Sequence, residues 1–557
     1  MLTILLLWIV TSLTTICFGD ILAKLWNKIS KQQAEYSLTD LFWIGLATVA
    51  MLACAISLIS PLNIYVQAAF AAIASAYWIF HRKRLSSICG KAYRFFTQAS
   101  SPIKILSISV TLLILIYSLL IPTGYDINLY HLQTLAWGEQ YAVVPGLGNL
   151  HGRLSFNSTS LLLYNIFSYN PQFSNPNFAI NGLCCLVFSF WIIKRITERK
   201  NIWEVVGLYL TLFIFYFAFV KGISSSSTDL LVNIIVLYLL LKLVLEPRSA
   251  QQAVLIFLIL PLSCITLKIS SLFVFLISLP ILFHFAKSRN YRLLSAYILL
   301  AAFIMLPWIA RFVVMSGYLI YPFPAIDIFT FDWKIPLEIV SAEKESISAY
   351  AKISFLPHDT VSEMSIIEWG PIWFKNLSKI YALSYVLMLL SPCVWIYTLI
   401  KKQAADKNLL RVWAVAMMGS IFGLAVAPDP RFNLAFLLCA FIIPIFFMLK
   451  IDVLQNKKKM LNIIACSLVL VLIVKAGWDI KPYQKSHWIS LAYKPQDFHY
   501  VKKYFDPHFE RHDIDGKTIY SPLQGDQCFD FCIPCTPYYR SGLEFRGSSE
   551  KDGFRIK

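Results

Sequence analysis

The sequence predicts an all-α polytopic membrane protein of about fourteen transmembrane helices, and three observations carry that expectation. First, 58% of the 557 residues are hydrophobic and only 14% are charged, against roughly 45–50% and about 25% in soluble domains. Second, apolar runs of about 17 to 25 residues, long enough to cross some 30 Å of hydrocarbon as helix, recur through most of the chain. Their continuous apolar character selects helices over the alternating pattern of a barrel. Third, the basic residues are unevenly placed. Of the 49 Lys and Arg, 26 fall in short loops on one predicted side, 10 in loops on the other, and 13 from Lys475 onward. That asymmetry is the positive-inside signal, and it accounts for the formal charge of +18 without a nucleic-acid partner.

Taken in order, Met1 to Gly19 lacks a basic leader and a small-residue cleavage site, so it reads as a retained first helix. Lys24, Lys28 and Lys31 follow on the cytoplasmic side. Leu41 to Ser60 and Leu62 to Phe80 form a hairpin around Pro61, and the basic loop His81 to Lys104 anchors the orientation. Ile105 to Ile121 must then exit, which places the stretch Pro122 to Asn157 outside. Further spans are expected at Asn177 to Ile193, Ile202 to Val220, Leu230 to Leu245, Ala253 to Leu267, Ser270 to Phe285 and Leu293 to Ala310. A second long outer loop covers 311–377. Lys379 to Ile400, Leu409 to Ala427, Leu434 to Leu449 and Met460 to Lys475 complete the set. The chain thus divides into 1–104, a core of 105–476 with outer loops 122–176 and 311–377, and a small extracytoplasmic segment, 477–557.

Nine of the twelve cysteines fall in predicted spans or cytoplasmic loops, where a small apolar residue is the default. Cys528, Cys532 and Cys535 share the last segment. An oxidising compartment allows one disulfide there, assigned to Cys528 and Cys535, with Cys532 left over. The spacing C-x3-C-x2-C without a nearby His is a poor zinc pattern.

Chemistry is expected in PTGYDINLYHLQTLAWGEQYAVVPGLGNLHGRLSFN, Pro122 to Asn157, where polar groups gather in a chain otherwise poor in them. Asp126 sits just past a membrane exit, a costly place for a carboxylate without a use. INLYHLQTLAWGEQY suits a short helix along the membrane surface, with 126, 130 and 133 on one face and His131 on its flank. Glycines at 146, 148 and 152 allow close approach of backbone to a ligand. His151, Arg153 and Asn157 follow, Arg153 offering a planar fork for phosphate or carboxylate. Lys221, Lys268, Arg311 and Arg431 stand singly at outer helix ends against the positive-inside bias. With Arg153 they suggest a basic ring for a lipid-linked phosphate. Asp229 and Asp429 lie at the same level, and Asp429 and Arg431 are close enough to pair.

A catalytic acid just outside a span, followed by a surface helix and a second half-embedded segment, resembles the GT-C superfamily of integral membrane glycosyltransferases. RFVVMSGYLIYPF from Arg311 is similar to the RN-x-x-x-x-G-x-P-x-xP stretch of bacterial relatives, and Arg431-Phe432 looks like their late RY or RF motif. GYDINLYH, VPGLGNLHGRL and APDPRF also resemble a group of uncharacterised bacterial multi-pass proteins over the full length, with no activity attached. The GT-C resemblance implies Asp126 as general base or orienter on an acceptor hydroxyl, His131 assisting. Outer bases (Arg153, Lys268, Arg311, Arg431, with His151, Asn157 and Asp429 alongside) would hold a polyprenyl-phosphate-linked donor, and the sugar would transfer with inversion. Two departures stand out: three helices precede the acidic loop instead of one, and the paired acids of metal-dependent members are missing, so no cofactor is expected.

The first expectation is therefore a glycosyltransferase of the bacterial cytoplasmic membrane, with long loops and C-terminus outside, whose partners are the bilayer, the lipid-linked donor and a glycan or glycolipid acceptor. A transporter or flippase of a lipid-linked glycan is the alternative. Transporters place polar groups near the midplane on interrupted helices, whereas here they gather at one face. A binding scaffold would explain the tail but not Asp126.

Overall fold

A computed structural model describes residues 2–120, 124–168, 178–199, 201–247, 253–401, 406–449, 467, 470, 471, 473–478, 509–514, 516–529 and 533–557. The predicted span Met460 to Lys475 lies mostly outside these residues, as do Pro122, Cys532 and most of 477–508.

The body is helical: α1 (Leu2–Ser30), α2 (Leu38–Ile56), α3 (Ile64–Phe80), α4 (Arg82–Gln98), α5 (Ser101–Ser118), a π-helical turn (Ile127–His131), α6 (Leu132–Gln140), α7 (Leu147–Leu150) and α8 (Thr159–Ser168) come first. Then follow α9 (Ala179–Glu198), α10 (Ile202–Phe219), α11 (Thr228–Leu245), α12 (Ile256–Leu267), a 3-10 stretch (Ile269–Ile277), α13 (Leu279–Lys287) and α14 (Tyr291–Ser316). The second loop carries α15 (Leu337–Lys352), α16 (His358–Glu363) and α17 (Ile366–Asn376), after which come α18 (Lys379–Ile400), α19 (Lys407–Val426) and α20 (Pro430–Ile442).

Among the described residues ten helices are long and apolar enough to cross a membrane, or up to twelve if each of two bent pairs is one span. The protein is thus an all-α polytopic membrane protein, and among the described residues, which leave out most of the expected span Met460 to Lys475, it has fewer complete spans than expected. The difference has local causes. α12 has 12 residues, about 18 Å of helix, too short to cross alone. The next apolar run is split at Ser278 into a 3-10 stretch and α13, bent by 43°, and α3 turns by 90° into α4. Apolar composition is blind to these breaks.

The break after α12 meets the starts of α11 and α20, where Lys268 pairs with Asp229 and lies over the Phe432 ring, and the first loop is tied to the end of α14 by Ser155 Oγ donating to Met315 O at 3.1 Å. At the opposite end of α11, a capping box starts α2: Asp40 N donates to Ser37 Oγ (3.2 Å) and Ser37 N to Asp40 Oδ2 (2.9 Å). The other oxygen of Asp40 takes Lys242 Nζ of α11 at 2.8 Å, both side chains fully buried. Lys242 also reaches Glu246 at 2.9 Å, and the Tyr238 hydroxyl donates to Asp40. A buried charge needs such company.

Two antiparallel hairpins, β1 (Phe509–Ile514) with β2 (Lys517–Pro522) and β3 (Leu543–Phe545) with β4 (Phe554–Ile556), form the last segment. It is no free appendage. Ile519, Leu543, Phe545 and Phe554 share one apolar cluster with Leu129, Tyr130, Trp137, Val144, Leu147, Leu150 and Leu154 of the first loop. Phe529 N donates to Asn128 O (2.8 Å) and Thr536 Oγ1 to Leu150 O (2.6 Å). Cys528 and Cys535 form the expected disulfide.

Candidate functional site

The stretch expected to lie as a surface helix is instead buried between two layers. Ile127, Leu132 and Leu135 face the helical core, whereas Leu129, Tyr130 and Trp137 face the C-terminal segment. The π turn also shifts the register, so that Asp126 and Tyr130 face Arg153 while Gln133 donates to Phe529 O at 3.2 Å. A run of leucines and aromatics with this periodicity fits either setting, because both bury it. The glycines approach protein rather than open space: Gly146, with φ +62°, lies under the Phe554 carbonyl, and a Cβ on Gly152 would stand 2.7 Å from the Tyr321 hydroxyl.

Arg153 joins two carboxylates. Its Nη1 donates to Asp126 Oδ1 at 3.1 Å and its Nε to Glu343 Oε1 at 3.1 Å. Asp126 is 47% exposed and Glu343 only 11%, so the first carboxylate keeps an open side and the second is a support. Burial opposes the charge on Arg153, but Glu343, then Tyr130 and Asp126, outweigh it and hold the guanidinium pKa above its usual value. The Arg153 guanidinium also stands 6.0 Å from the Tyr130 ring centre.

Next to this pair, His131 is buried. Its Nδ1 is 2.8 Å from Ser226 Oγ, and Nε2 has no hydrogen-bond partner among the described residues. Burial lowers its pKa to about 4; Asp126 opposes this, while Lys268 and Arg153 push the same way. The imidazole is therefore neutral at physiological pH.

A second group sits beyond His131. Lys268, extended at the break after α12, pairs with Asp229 in the first turn of α11, and its ammonium lies 3.7 Å from the Phe432 ring centre. The freed carbonyl of Leu267 accepts from Ser158 Oγ at 2.7 Å, which satisfies the interrupted backbone. APDPRF is a helix start: Asp429 caps α20 by accepting Arg431 N at 2.9 Å, with Pro430 first in the helix. Arg431 folds back on Asp429 through Nε (2.9 Å) and Nη2 (2.7 Å). The two groups share one field, since Asp126, Arg153, Asp229 and Glu343 all act on the Tyr130 hydroxyl.

Asn157 and Arg311 meet each other, apart from that field. Arg311 Nε donates to Asn157 Oδ1 (2.9 Å) and Nη1 to Ser57 Oγ (2.6 Å); Asn157 and Trp308 exchange two further bonds of 2.6 and 2.8 Å. The knot ties the first loop to α2 and α14. His151 lies two residues before Arg153 on the side of the C-terminal segment, edge-on to Tyr538 at 6.3 Å. Burial, then Arg153 and Arg540, lowers its pKa to about 3.

Sequence reasoning passed over Glu343, Ser226, Tyr321 and Arg540. A signal existed for Glu343: it is three residues after the buried Val340 of α15, whereas Glu338 and Glu345 of the same helix are exposed. A carboxylate on the apolar stripe is the informative one.

Both histidines have folded-state pKa values below the ordinary 6.5, so the unfolded chain takes up their protons first as pH falls. Their contribution to stability is complete above about 6.5 and is lost as pH drops toward 4 for His131 and 3 for His151, by at most about 1.4 kcal/mol per pH unit each. The thermal midpoint of the detergent-solubilised protein is expected to fall between pH 6.5 and 5, and His151→Gln to flatten the slope. An unchanged slope would assign the acid sensitivity elsewhere.

Among the described residues no group of three or more His, Cys, Asp or Glu is placed to hold a metal ion. Fold and site define a polytopic, largely helical membrane protein. The chain belongs to the family DUF8201, a domain of unknown function, which matches residues 1–438. That match includes Asp126, His131, Arg153, Lys268, Glu343 and Arg431 and ends before the C-terminal hairpins. No curated protein and no solved structure matches the chain.

Proposed function

We propose that this protein is a membrane glycosyltransferase that moves a sugar from a polyprenyl-phosphate-linked donor to a glycan or glycolipid acceptor at the outer face of a bacterial cytoplasmic membrane. One observation carries the reading: a half-exposed carboxylate, Asp126, pairs with Arg153 beside a buried neutral histidine, His131, on which Asp126, Lys268 and Arg153 all act. Polyprenyl phosphate leaves as a stabilised anion, so the enzyme needs a base for the acceptor hydroxyl and cations for the developing phosphate charge. Asp126 is the base or orienter: Arg153 fixes its Oδ1, and the half-exposed carboxylate accepts the hydroxyl proton. His131, with its unpaired Nε2, assists. Lys268 and Arg431 meet the phosphate, Arg431 being 42% exposed with Nη1 unspent among the described residues. The GT-C resemblance points the same way.

One observation favours the carrier reading: the chain is interrupted at Lys268, as transporter helices are at their sites. That break, however, packs against Asp229 and Phe432 at helix starts, which suits an interfacial enzyme better. Profiling of lipid-linked and surface glycans in a deletion strain tests the proposal. The expected result is accumulation of one sugar-loaded polyprenyl phosphate together with a surface glycan lacking that sugar; an unchanged profile would remove it.

A further inference from the structure

The transfer reading leaves a second cluster unused, on the side of Arg153 that faces the C-terminal segment. Tyr321 is 1% exposed and its hydroxyl has no hydrogen-bond partner among the described residues. Arg540 Nη1 is likewise cut off from water without a partner, and its guanidinium stands 5.6 Å from the Tyr538 ring centre. The groups converge. A Cβ on Gly152 would lie 2.7 Å from the Tyr321 hydroxyl and 3.1 Å from Glu343 Oε2. His151, next in the chain to Gly152, stands edge-on to Tyr538 at 6.3 Å, and Arg540 lies over that same ring; the charges of Glu343, Arg540 and Arg153 act on both Tyr321 and Tyr538. Unpaired donors beside a buried carboxylate offer hydrogen bonds to an acceptor that the chain itself does not supply.

The chemistry of the donors narrows the ligand. A guanidinium fork and one phenol match a planar carboxylate. Glu343 beside the same hydroxyl repels a phosphoryl dianion more than a single negative charge. Tyr538 and Tyr539 are 51% and 37% exposed, and Tyr539 is stacked on His512 at 4.2 Å, so flat apolar faces with polar edges stand beside the donors. Tyr538, Tyr539 and Arg540 belong to the C-terminal segment, which packs on the face of the first loop turned away from the helical core.

We propose that Arg540 and Tyr321, flanked by the rings of Tyr538 and Tyr539, bind the carboxylate of an acidic saccharide, which is the acceptor of the transfer. The assignment as acceptor rests on the transfer reading; the binding does not. Titration calorimetry on the full chain in detergent, with a galacturonate trisaccharide, the matched neutral galactose trisaccharide and galactose 6-phosphate as probes, tests it. The uronate is expected to bind about tenfold or more tighter than the neutral probe, and tighter than the phosphate. Arg540→Gln removes the preference, Tyr321→Phe weakens uronate binding, and Arg546→Gln, whose residue pairs with Asp332, changes neither. Thermal midpoints measured alongside identify any variant that fails to fold. Equal binding of uronate and neutral probes, a preference for the phosphate, or a preference that survives Arg540→Gln in a folded protein overturns the proposal. Sugar transfer is read separately, so its absence leaves an Arg540-dependent uronate preference standing, and its presence does not rescue a lost one.

Discussion

Lys242→Met is expected to destabilise the protein by about 3–5 kcal/mol, because it strands a buried carboxylate. Lys242 Nζ holds Asp40 at 2.8 Å and Glu246 at 2.9 Å, and the Lys242 and Asp40 side chains are both fully shielded from solvent. Without the ammonium, Asp40 keeps the Tyr238 hydroxyl and the Ser37 amide among the described residues. Glu246 is less affected, since Trp191 Nε1 (2.7 Å) and Arg195 (3.4 Å) still hold it. The double variant Asp40→Asn/Lys242→Met recovers most of the loss, because a buried ion pair contributes little net stability once both charges are gone. Thermal unfolding followed by size-exclusion of the solubilised protein measures both. A single variant as stable as the wild type would mean that the pair is hydrated.

Asp126→Asn acts in the opposite sense, on chemistry with little effect on the fold. Asp126 is half exposed, and an ion pair of that kind contributes about 0–1 kcal/mol. Arg153 retains Glu343 when Asp126 loses its charge, so abundance and thermal midpoint stay near wild type. Loss of a general base costs about 10²–10⁴-fold in rate, and sugar transfer in membranes is expected to drop by that factor. Arg153→Lys should fold less well than Asp126→Asn, because an ammonium cannot serve both carboxylates with the fork geometry. Full transfer by the folded Asp126→Asn protein would pass the base role to His131.

The membrane-spanning body was legible because long apolar runs have few alternatives, and most expected spans coincide with helices: Lys379 to Ile400 matches residue for residue. The boundary at Lys268 was legible too, since the expected spans end at Leu267 and resume at Ser270; the shortness of α12 and the bend at Ser278 were not, because the run on either side is equally apolar. Asp126 and Arg153 could be named, 27 residues apart, from the polar character of their loop. Their partner Glu343 was marked only by its place on the apolar stripe of α15, 190 residues from Arg153 and among other glutamates, so the pairing itself could not be read. Asp429 and Arg431 were read as ligand contacts as well as a pair; the helix cap they make explains their spacing by itself. Arg311 and Asn157 show how an unpaired base at a helix end is answered by amide and hydroxyl oxygens, a solution no charge count reveals.

The most direct measurement reconstitutes the purified chain in liposomes with a polyprenyl phosphate carrying a radiolabelled sugar, and supplies membrane glycans from a deletion strain as acceptor. Label passing from the lipid to the glycan fraction with wild-type protein, and staying on the lipid with Asp126→Asn, is the result expected of a transferase. Label that remains on the lipid with wild-type protein while the lipid crosses the bilayer would contradict it and make the chain a carrier.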